Sequence, residues 1–322
     1  MHSRRLSRSE ILGRIKRMKS ILILLHAIRV NQWIKNFSLY AAIIFTGRLF
    51  DPDLFVLTTI GFLIFSFLSS ASYLFNDLLD APLDRLHPTK KNRPIASGEL
   101  SKSPAIVLFV FLAVSGLTTA YLVSVAFFLI SLVFFAIHII YSLWLKHHSL
   151  MDILSIASSF LLRVFAGEVI TGLHIPIWLT FSVIFLSLFI ASCKRRSELL
   201  VVGKTTRPAL EHYRAQLLDF YNSTFATGAI IAYAMFTFLA QPPDFNPVIQ
   251  DFLQFVFPQA LGRKWLMVST LPLIVVGIMR YAQLIYERLQ GEAPERLVTT
   301  DKMLMTILAL WGISVILFTY LL

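Results

Sequence analysis

The chain has 322 residues, of which 57% are hydrophobic, 13% aromatic and only 15% charged. Soluble domains carry about a quarter charged residues, so this balance excludes a water-soluble enzyme. Apolar segments of about 20 residues recur from end to end and point to one integral membrane domain. The formal net charge of +11 raises nucleic acid as a partner, but no basic region carries a binding motif, and membrane topology accounts for the charge.

Residues 1–32 read as a basic cytoplasmic tail with an interfacial helix: Lys and Arg crowd the first nineteen positions, and the apolar ILILLHAI comes next. That apolar piece is too short for a secretory signal, Arg29 and Lys35 interrupt the stretch after it, and no small-residue cleavage site is present. Apolar runs bounded by charge, Pro or Gly then predict nine helices, over 33–50, 54–77, 104–122, 124–145, 150–171, 176–194, 214–240, 264–288 and 302–321. Residues 33–322 thus form an all-α, polytopic membrane domain. The run from Ala105 to Leu145 is nearly unbroken, so it must reverse once, near Leu122–Ser124, to fit a bilayer.

With nine spans, all but four of the 29 Lys and Arg fall on one side: Arg48, Arg263 and Lys264 lie on the other, and Arg163 inside a span. The positive-inside tendency makes this a multi-pass protein of the cytoplasmic membrane with a cytoplasmic amino terminus and an external carboxyl terminus. The single cysteine, Cys193, excludes an internal disulfide framework and a thiolate metal site.

The most informative stretch is LFNDLLDAPLDRLHPTKKNRPIASGEL at 74–100. Asp77, Asp80 and Asp84 share one face if the second helix runs on past its membrane exit. Pro82 removes a backbone donor and clashes with the preceding turn, so the helix is expected to kink or end near Ala81, with Asp84 on a loop. Three carboxylates this close repel unless a cation joins them, and hard oxygen ligands suit Mg2+, which takes one or two carboxylates plus substrate phosphates. The plainer alternative is that acidic residues at a span end sit in water and stop the helix sliding inward. Against it stand the other cytoplasmic segments, each with a charged or hydrogen-bonding cluster: WIKN at 33–36, HPTKKNRP at 87–94, YSLWLKHHSLMD at 141–152, CKRRSEL at 193–199 and MRYAQ at 279–283. Together they describe a pocket for a polyanion with its metal. The candidate substrate-binding residues are Lys35, Asn36, Asn76, Lys90, Arg93, Tyr141, Lys146, His147, Asp152, Arg163, Lys194, Arg195, Glu198, Arg280 and Tyr281. His138, deep in a span with no second ligand at metal spacing, reads as a core residue. Arg163, costly within a span, needs an anion and could pair with Glu168 or Asp152.

The pattern N-D-x-x-D-x-x-x-D of Asn76–Asp84, with a basic loop after it and nine spans around it, resembles the UbiA superfamily of intramembrane prenyltransferases over essentially the whole chain. QWIKN, DRLHPTKKNRPIASG, LKHHSLMDI, LLRVFAG, KRRSEL and MRYAQ with a later APE are similar, in combination, to the decaprenyl-phosphate phosphoribosyltransferase branch. The resemblance implies nine helices around a central cavity open to lipid. It also implies 5-phosphoribosyl 1-diphosphate as donor, a polyprenyl phosphate as acceptor and Mg2+ held by Asp77, Asp80 and Asp84, with pyrophosphate released, and a product that feeds cell-wall arabinan. Typical members carry a second aspartate motif after the sixth span, where this chain has Cys193-Lys194-Arg195-Arg196-Ser197-Glu198-Leu199. An anionic second substrate accounts for the exchange. Arg196 stands where that branch usually has an aromatic residue, and His148 replaces a common glutamine.

Two rival readings differ in what they require. An aromatic prenyltransferase using a prenyl diphosphate calls for the missing second aspartate motif. A transporter of a phosphorylated solute calls for broken helices and paired charges at the bilayer midplane, which only Arg163 and Glu168 suggest. Membrane lipid is an expected partner, nucleic acid is not, and the sequence is compatible with a homo-oligomer.

Overall fold

A computed structural model describes residues 21–87, 89–201, 213–239, 268–288 and 294–321, and no strand occurs among them. The helices are α1 (21–27), α2 (Ala41–Phe45), α3 (Pro52–Asp84), α4 (Lys102–Val123), α5 (Val125–Leu143), α6 (Ser149–Thr171), α7 (Ile177–Val201), α8 (Ala215–Leu239), α9 (Leu271–Arg288), α10 (Pro294–Thr300) and α11 (Lys302–Ile316). Among the described residues, seven helices are long and apolar enough to cross a membrane: α3 to α8, and α11 with its π-helical extension.

The reversal expected near Leu122–Ser124 is present. Ser124 adopts extended φ and ψ of −168° and 155° between α4 and α5, and its Oγ accepts a bond from the Phe127 N–H at 3.0 Å, as an N-cap does. The first predicted span is not one α-helix. A 3-10 helix over Val30–Tyr40 leads into the five-residue α2, and the Ser38 hydroxyl donates to the Lys35 carbonyl three residues back at 2.9 Å. The predicted span 264–288 is described from residue 268, and its helix starts at Leu271. The tail before residue 21 and the expected external loop at 243–260 lie outside the described residues.

The chain divides into two compact units, residues 1–33 with 63–142 and residues 34–62 with 143–322. Unit 1 has a core rich in small side chains: Ala27, Ala71, Ala81, Ala105 and Ala113 pack with Leu74, Ile95, Leu100 and Leu112. Small residues let helices approach closely where lipid offers no hydrophobic drive. On α4, the exposed Val107, Phe111, Val114 and Leu122 suit a lipid environment. The Ser70 hydroxyl donates to the Ile28 carbonyl at 2.7 Å and accepts from Trp33 Nε1 at 3.0 Å, fastening the chain on both sides of Arg29 to α3.

In unit 2 one core cluster joins Ala42, Val164, Ile175, Leu179, Tyr233 and Phe236, and a second joins Phe189, Cys193, Ala229, Ile278, Leu284 and Leu304 with their neighbours. The Tyr233 hydroxyl accepts from Trp311 Nε1 at 2.8 Å, which satisfies both polar atoms inside an apolar core. The closest backbone approach is at Gly167 on α6, where an added Cβ would lie 2.0 Å from the Leu39 carbonyl oxygen. We predict that Gly167→Ala destabilises the protein by about 1–3 kcal/mol, the cost of overpacking a tight contact. Thermal unfolding in detergent would show a clearly lowered midpoint, and an unchanged one would mean that the Leu39 segment yields freely.

Candidate active site

Helix α3 does not stop at Ala81: it runs to Asp84 with Pro82 inside its last turn. Proline there forfeits only the bond to the Leu78 carbonyl, and the chain leaves the helix two residues later through turns from Leu86 to Leu83 and His87 to Asp84. The three aspartates therefore do lie along one face of one continuous helix. Asp77 and Asp84 are buried, at 3% and 5% exposure, and Asp80 is half-buried.

Two arginines neutralise this face. Arg93 Nη1 lies 3.0 Å from Asp77 Oδ1 and 2.6 Å from Asp84 Oδ2, bridging carboxylates two turns apart. Arg29 Nη2 donates to the same Asp77 Oδ1 at 2.6 Å, with its guanidinium 4.8 Å from the centre of the Tyr73 ring. Burial, the largest single influence, would lower the pKa of Arg29; Asp77, Tyr73 and Asp84 together outweigh it, and the net shift is upward. Arg29 is also the one non-glycine residue with positive φ, at 53°, among the described residues, a conformation that costs a β-carbon-bearing residue about 1–2 kcal/mol. In the sequence Arg29 reads only as an interruption of an apolar run, because its carboxylate partner lies 48 positions away. Asn76 Nδ2 donates to Asp80 Oδ2 at 2.9 Å.

Arg93 is delivered by the loop after α3. Lys90 opens a short 3-10 turn, Lys90–Asn92, and its N–H donates to His87 Nδ1 at 3.3 Å. The loop is tied down by Arg85 Nε on the Ala96 carbonyl at 3.2 Å and by Ile95 and Leu100 in the core. Gly98, with φ of +83°, makes the return turn at a conformation L side chains avoid. Tyr141 lies near the end of α5 in the same unit, half-buried. The donor set of Asp77, Asp80, Asp84 and the Asn76 amide suits a hard divalent ion. As arranged, no three carboxylates, imidazoles or thiols among the described residues converge on one ion position, and a guanidinium bridges two of the carboxylates instead.

The remaining candidates belong to unit 2 and fall into separate groups. Arg195 is fully buried on α7 and reaches Asp152 of α6, itself fully buried, through Nη2 at 2.8 Å and through Nε; it also reaches Glu198, one turn on. Arg163 donates from Nε to Asn36 Oδ1 at 2.7 Å and from Nη1 to the Ser159 carbonyl and hydroxyl, while Glu168 accepts from the Ile175 N–H and neighbours His174. Arg280 pairs with Asp301, which caps α11 by accepting from the Leu304 N–H at 2.9 Å. Lys146 is buried in a 3-10 turn beside the exposed His147, and Lys194 is half-buried on α7. Reading by composition misses the network around Arg196: Nε donates to Asp219 Oδ1 at 2.5 Å, the guanidinium stacks 3.7 Å over Tyr286, and Nη1 is buried with no hydrogen-bond partner among the described residues.

An apolar cavity of about 270 Å3 lies within unit 2, walled by Phe160, Phe189, Leu273, Ile278 and Trp311, with Lys35 and Tyr281 on its lining. Tyr281 also sits edge-on to Phe189 at 5.7 Å.

The sequence model of the UbiA prenyltransferase family matches residues 37–311, and the chain belongs to this family. It is 31% identical over 295 residues to the decaprenyl-phosphate phosphoribosyltransferase of Mycolicibacterium smegmatis, covering 89% of each chain. It is 31% identical over 312 residues to that of Corynebacterium glutamicum, covering 92% of this chain and 86% of the relative. A UbiA homolog from Archaeoglobus fulgidus, solved bound to GPP and Mg2+, superposes with a TM-score of 0.64 at 21% identity, over 91% of this chain and 99% of its own.

The burial of Arg195 changes what its loss should do. Arg195→Ala takes from the fully buried Asp152 a guanidinium that reaches it through Nη2 and Nε, and removing one partner of a buried ion pair costs about 3–5 kcal/mol. We expect a large fall in unfolding midpoint; a variant as stable as the wild type with weakened phosphate binding would show that Arg195 faces substrate instead.

Proposed function

We propose that the protein transfers a 5-phosphoribosyl group from 5-phosphoribosyl 1-diphosphate to a polyprenyl monophosphate of decaprenyl type, releasing pyrophosphate, with Mg2+ and at the cytoplasmic face of the membrane. The observation that carries this reading is the α3 acidic face with its arginine counterions, read together with relatives of that name along about nine-tenths of the chain. The basic Lys194-Arg195-Arg196 stretch in place of a second acidic motif supports a phosphate-bearing acceptor over an aromatic one.

Asp77, Asp80 and Asp84, with Asn76, would hold Mg2+, whose charge would offset that of the donor diphosphate. The chain's own groups supply the rest. Lys90 and Arg93 neutralise the departing pyrophosphate from the loop. Lys146, His147, Lys194 and Lys35 attend the phosphate groups of the donor and acceptor, whose repulsion would otherwise keep them apart. The bond from the anomeric carbon to the diphosphate oxygen breaks with its electron pair leaving on pyrophosphate, and an acceptor phosphate oxygen forms the new bond. That oxygen is already ionised, so no general base is needed, and positioning with electrostatics supplies most of the rate through an oxocarbenium-like transition state. The apolar cavity of unit 2 is the proposed seat of isoprene units of the tail. Arg195, Asp152 and Glu198 hold α6 and α7 in place, and Arg163 with Asn36 does the same for the segment after Arg29.

In this reading the stretch 30–45 and α9 complete nine spans around a cavity open to lipid, and residues 1–32 are a cytoplasmic tail. Membranes containing the protein, given radiolabelled phosphoribosyl diphosphate and decaprenyl phosphate, should move label into the lipid phase. Asp77→Asn should reduce that transfer by at least about 100-fold, as expected when a charge supporting the transition state is removed. Label staying in water with wild-type protein, while a prenyl diphosphate and an aromatic acid react, would replace this function with the aromatic one. For the topology, reporters fused after Gly98 and Arg207 should read as cytoplasmic and one at Pro247 as external; a cytoplasmic Pro247 reporter would break the nine-span arrangement.

A further inference from the structure

The two arginines on the acidic face are held differently. Arg29 is fixed at its backbone by a left-handed turn and by the Ser70 bonds on either side, and at its head by Asp77 and the Tyr73 ring. Its head thus has a ring contact besides its carboxylate. The Arg93 backbone is equally anchored, through its N–H on the Lys90 carbonyl at 3.0 Å and the Ser97 N–H on its own carbonyl at 2.8 Å. Its head is held by carboxylates alone: Nη1 lies between Asp77 Oδ1 and Asp84 Oδ2, and the side chain is 22% exposed, as is that of Arg29, against 4% and 6% for the two aspartates.

A divalent ion that bridges Asp77 and Asp84 through Asp77 Oδ1 and Asp84 Oδ2 takes the oxygens that Arg93 occupies. Binding the ion alone would cost two charge-assisted hydrogen bonds and leave a guanidinium unpaired beside a new positive charge, which repels it. An ion that arrives with a diphosphate removes both costs, because the released guanidinium meets phosphate oxygens, for which its planar fork is suited. We propose that Arg93 is an exchangeable counterion: it bridges Asp77 and Asp84 until a metal–diphosphate complex takes those oxygens, and its head then moves onto the diphosphate. This rests on the reading of the aspartates as metal ligands given above. The consequence is that the protein discriminates against bare divalent ions and accepts them with their diphosphate.

The test measures Mn2+ binding to detergent-purified full-length protein, by the loss of the free-ion EPR signal for Mn2+ alone and by equilibrium dialysis for the preformed Mn2+–pyrophosphate complex. Wild-type protein should prefer the complex. Arg93→Gln should bind Mn2+ alone tighter than wild type by about tenfold or more, the worth of one charge-assisted hydrogen bond, and its preference for the complex should shrink. Arg93→Lys, which keeps the charge without the fork, should fall between them and serves if the Gln variant does not fold. Added Mn2+ should also raise the unfolding midpoint of either variant more than that of wild type. Variants that bind Mn2+ alone no tighter than wild type, while wild type binds the complex, overturn the exchange and leave the metal reading intact. Wild-type protein that binds neither form overturns both.

Discussion

Three carboxylates within two turns of one helix repel one another unless cations stand among them, and that constraint organises unit 1. Arg29 reaches Asp77 at the cost of a left-handed backbone at a residue with a β-carbon. Ser70 fastens the chain on either side of that residue. The loop after α3 folds back, with Ile95 and Leu100 in the alanine-rich core, far enough to insert Arg93 between Asp77 and Asp84. Each of these features would be a cost without purpose if the acidic face were merely a solvated helix end. Together they hold negative charge partly dry, where it attracts a cation more strongly than in water.

Unit 2 answers a different electrostatic problem with the same residue type. Four of its arginines, Arg195 and Arg163 buried and Arg196 and Arg280 half-buried, are each engaged through a planar head: Arg195 on Asp152 and Glu198, Arg163 on Asn36 and Ser159, Arg280 on Asp301 and Arg196 on Asp219. A guanidinium stays charged and offers several donors at fixed angles, so it can join helices within an apolar bundle where an ammonium would satisfy fewer partners. This separates two roles that look alike in sequence. In CKRRSEL, Arg195 and Arg196 are adjacent, yet Arg195 ties α7 to α6 while Arg196 lies against the Tyr286 ring.

Much of the fold is legible in the sequence because hydropathy reports directly on lipid. The reversal at Ser124 comes from the length of an apolar run against bilayer thickness, and the aspartate face from spacings of three and four. The features that escape do so for physical reasons. Pro82 reads as an early end to α3, but so near a helix terminus it removes a single hydrogen bond, and the favourable Arg93 contact lies just beyond it. The 3-10 geometry of Val30–Tyr40 has no strong hydropathy signature. Arg29 is invisible as a site residue because its partner is distant in sequence and close only after folding. Arg195 reads as a phosphate ligand because composition shows a cation without showing the buried Asp152 that claims it.

If the α3 aspartates take a metal with its diphosphate while Arg29 stays in place, an experimental structure of the full-length protein with Mn2+ and pyrophosphate should show it directly, with anomalous scattering used to locate the metal. Mn2+ is expected within coordination distance of Asp77 and Asp84, with pyrophosphate against the Arg93 guanidinium. Mn2+ bound elsewhere, for example beside Glu198, with Arg93 still bridging Asp77 and Asp84, would contradict the exchange and the metal role of the aspartates together.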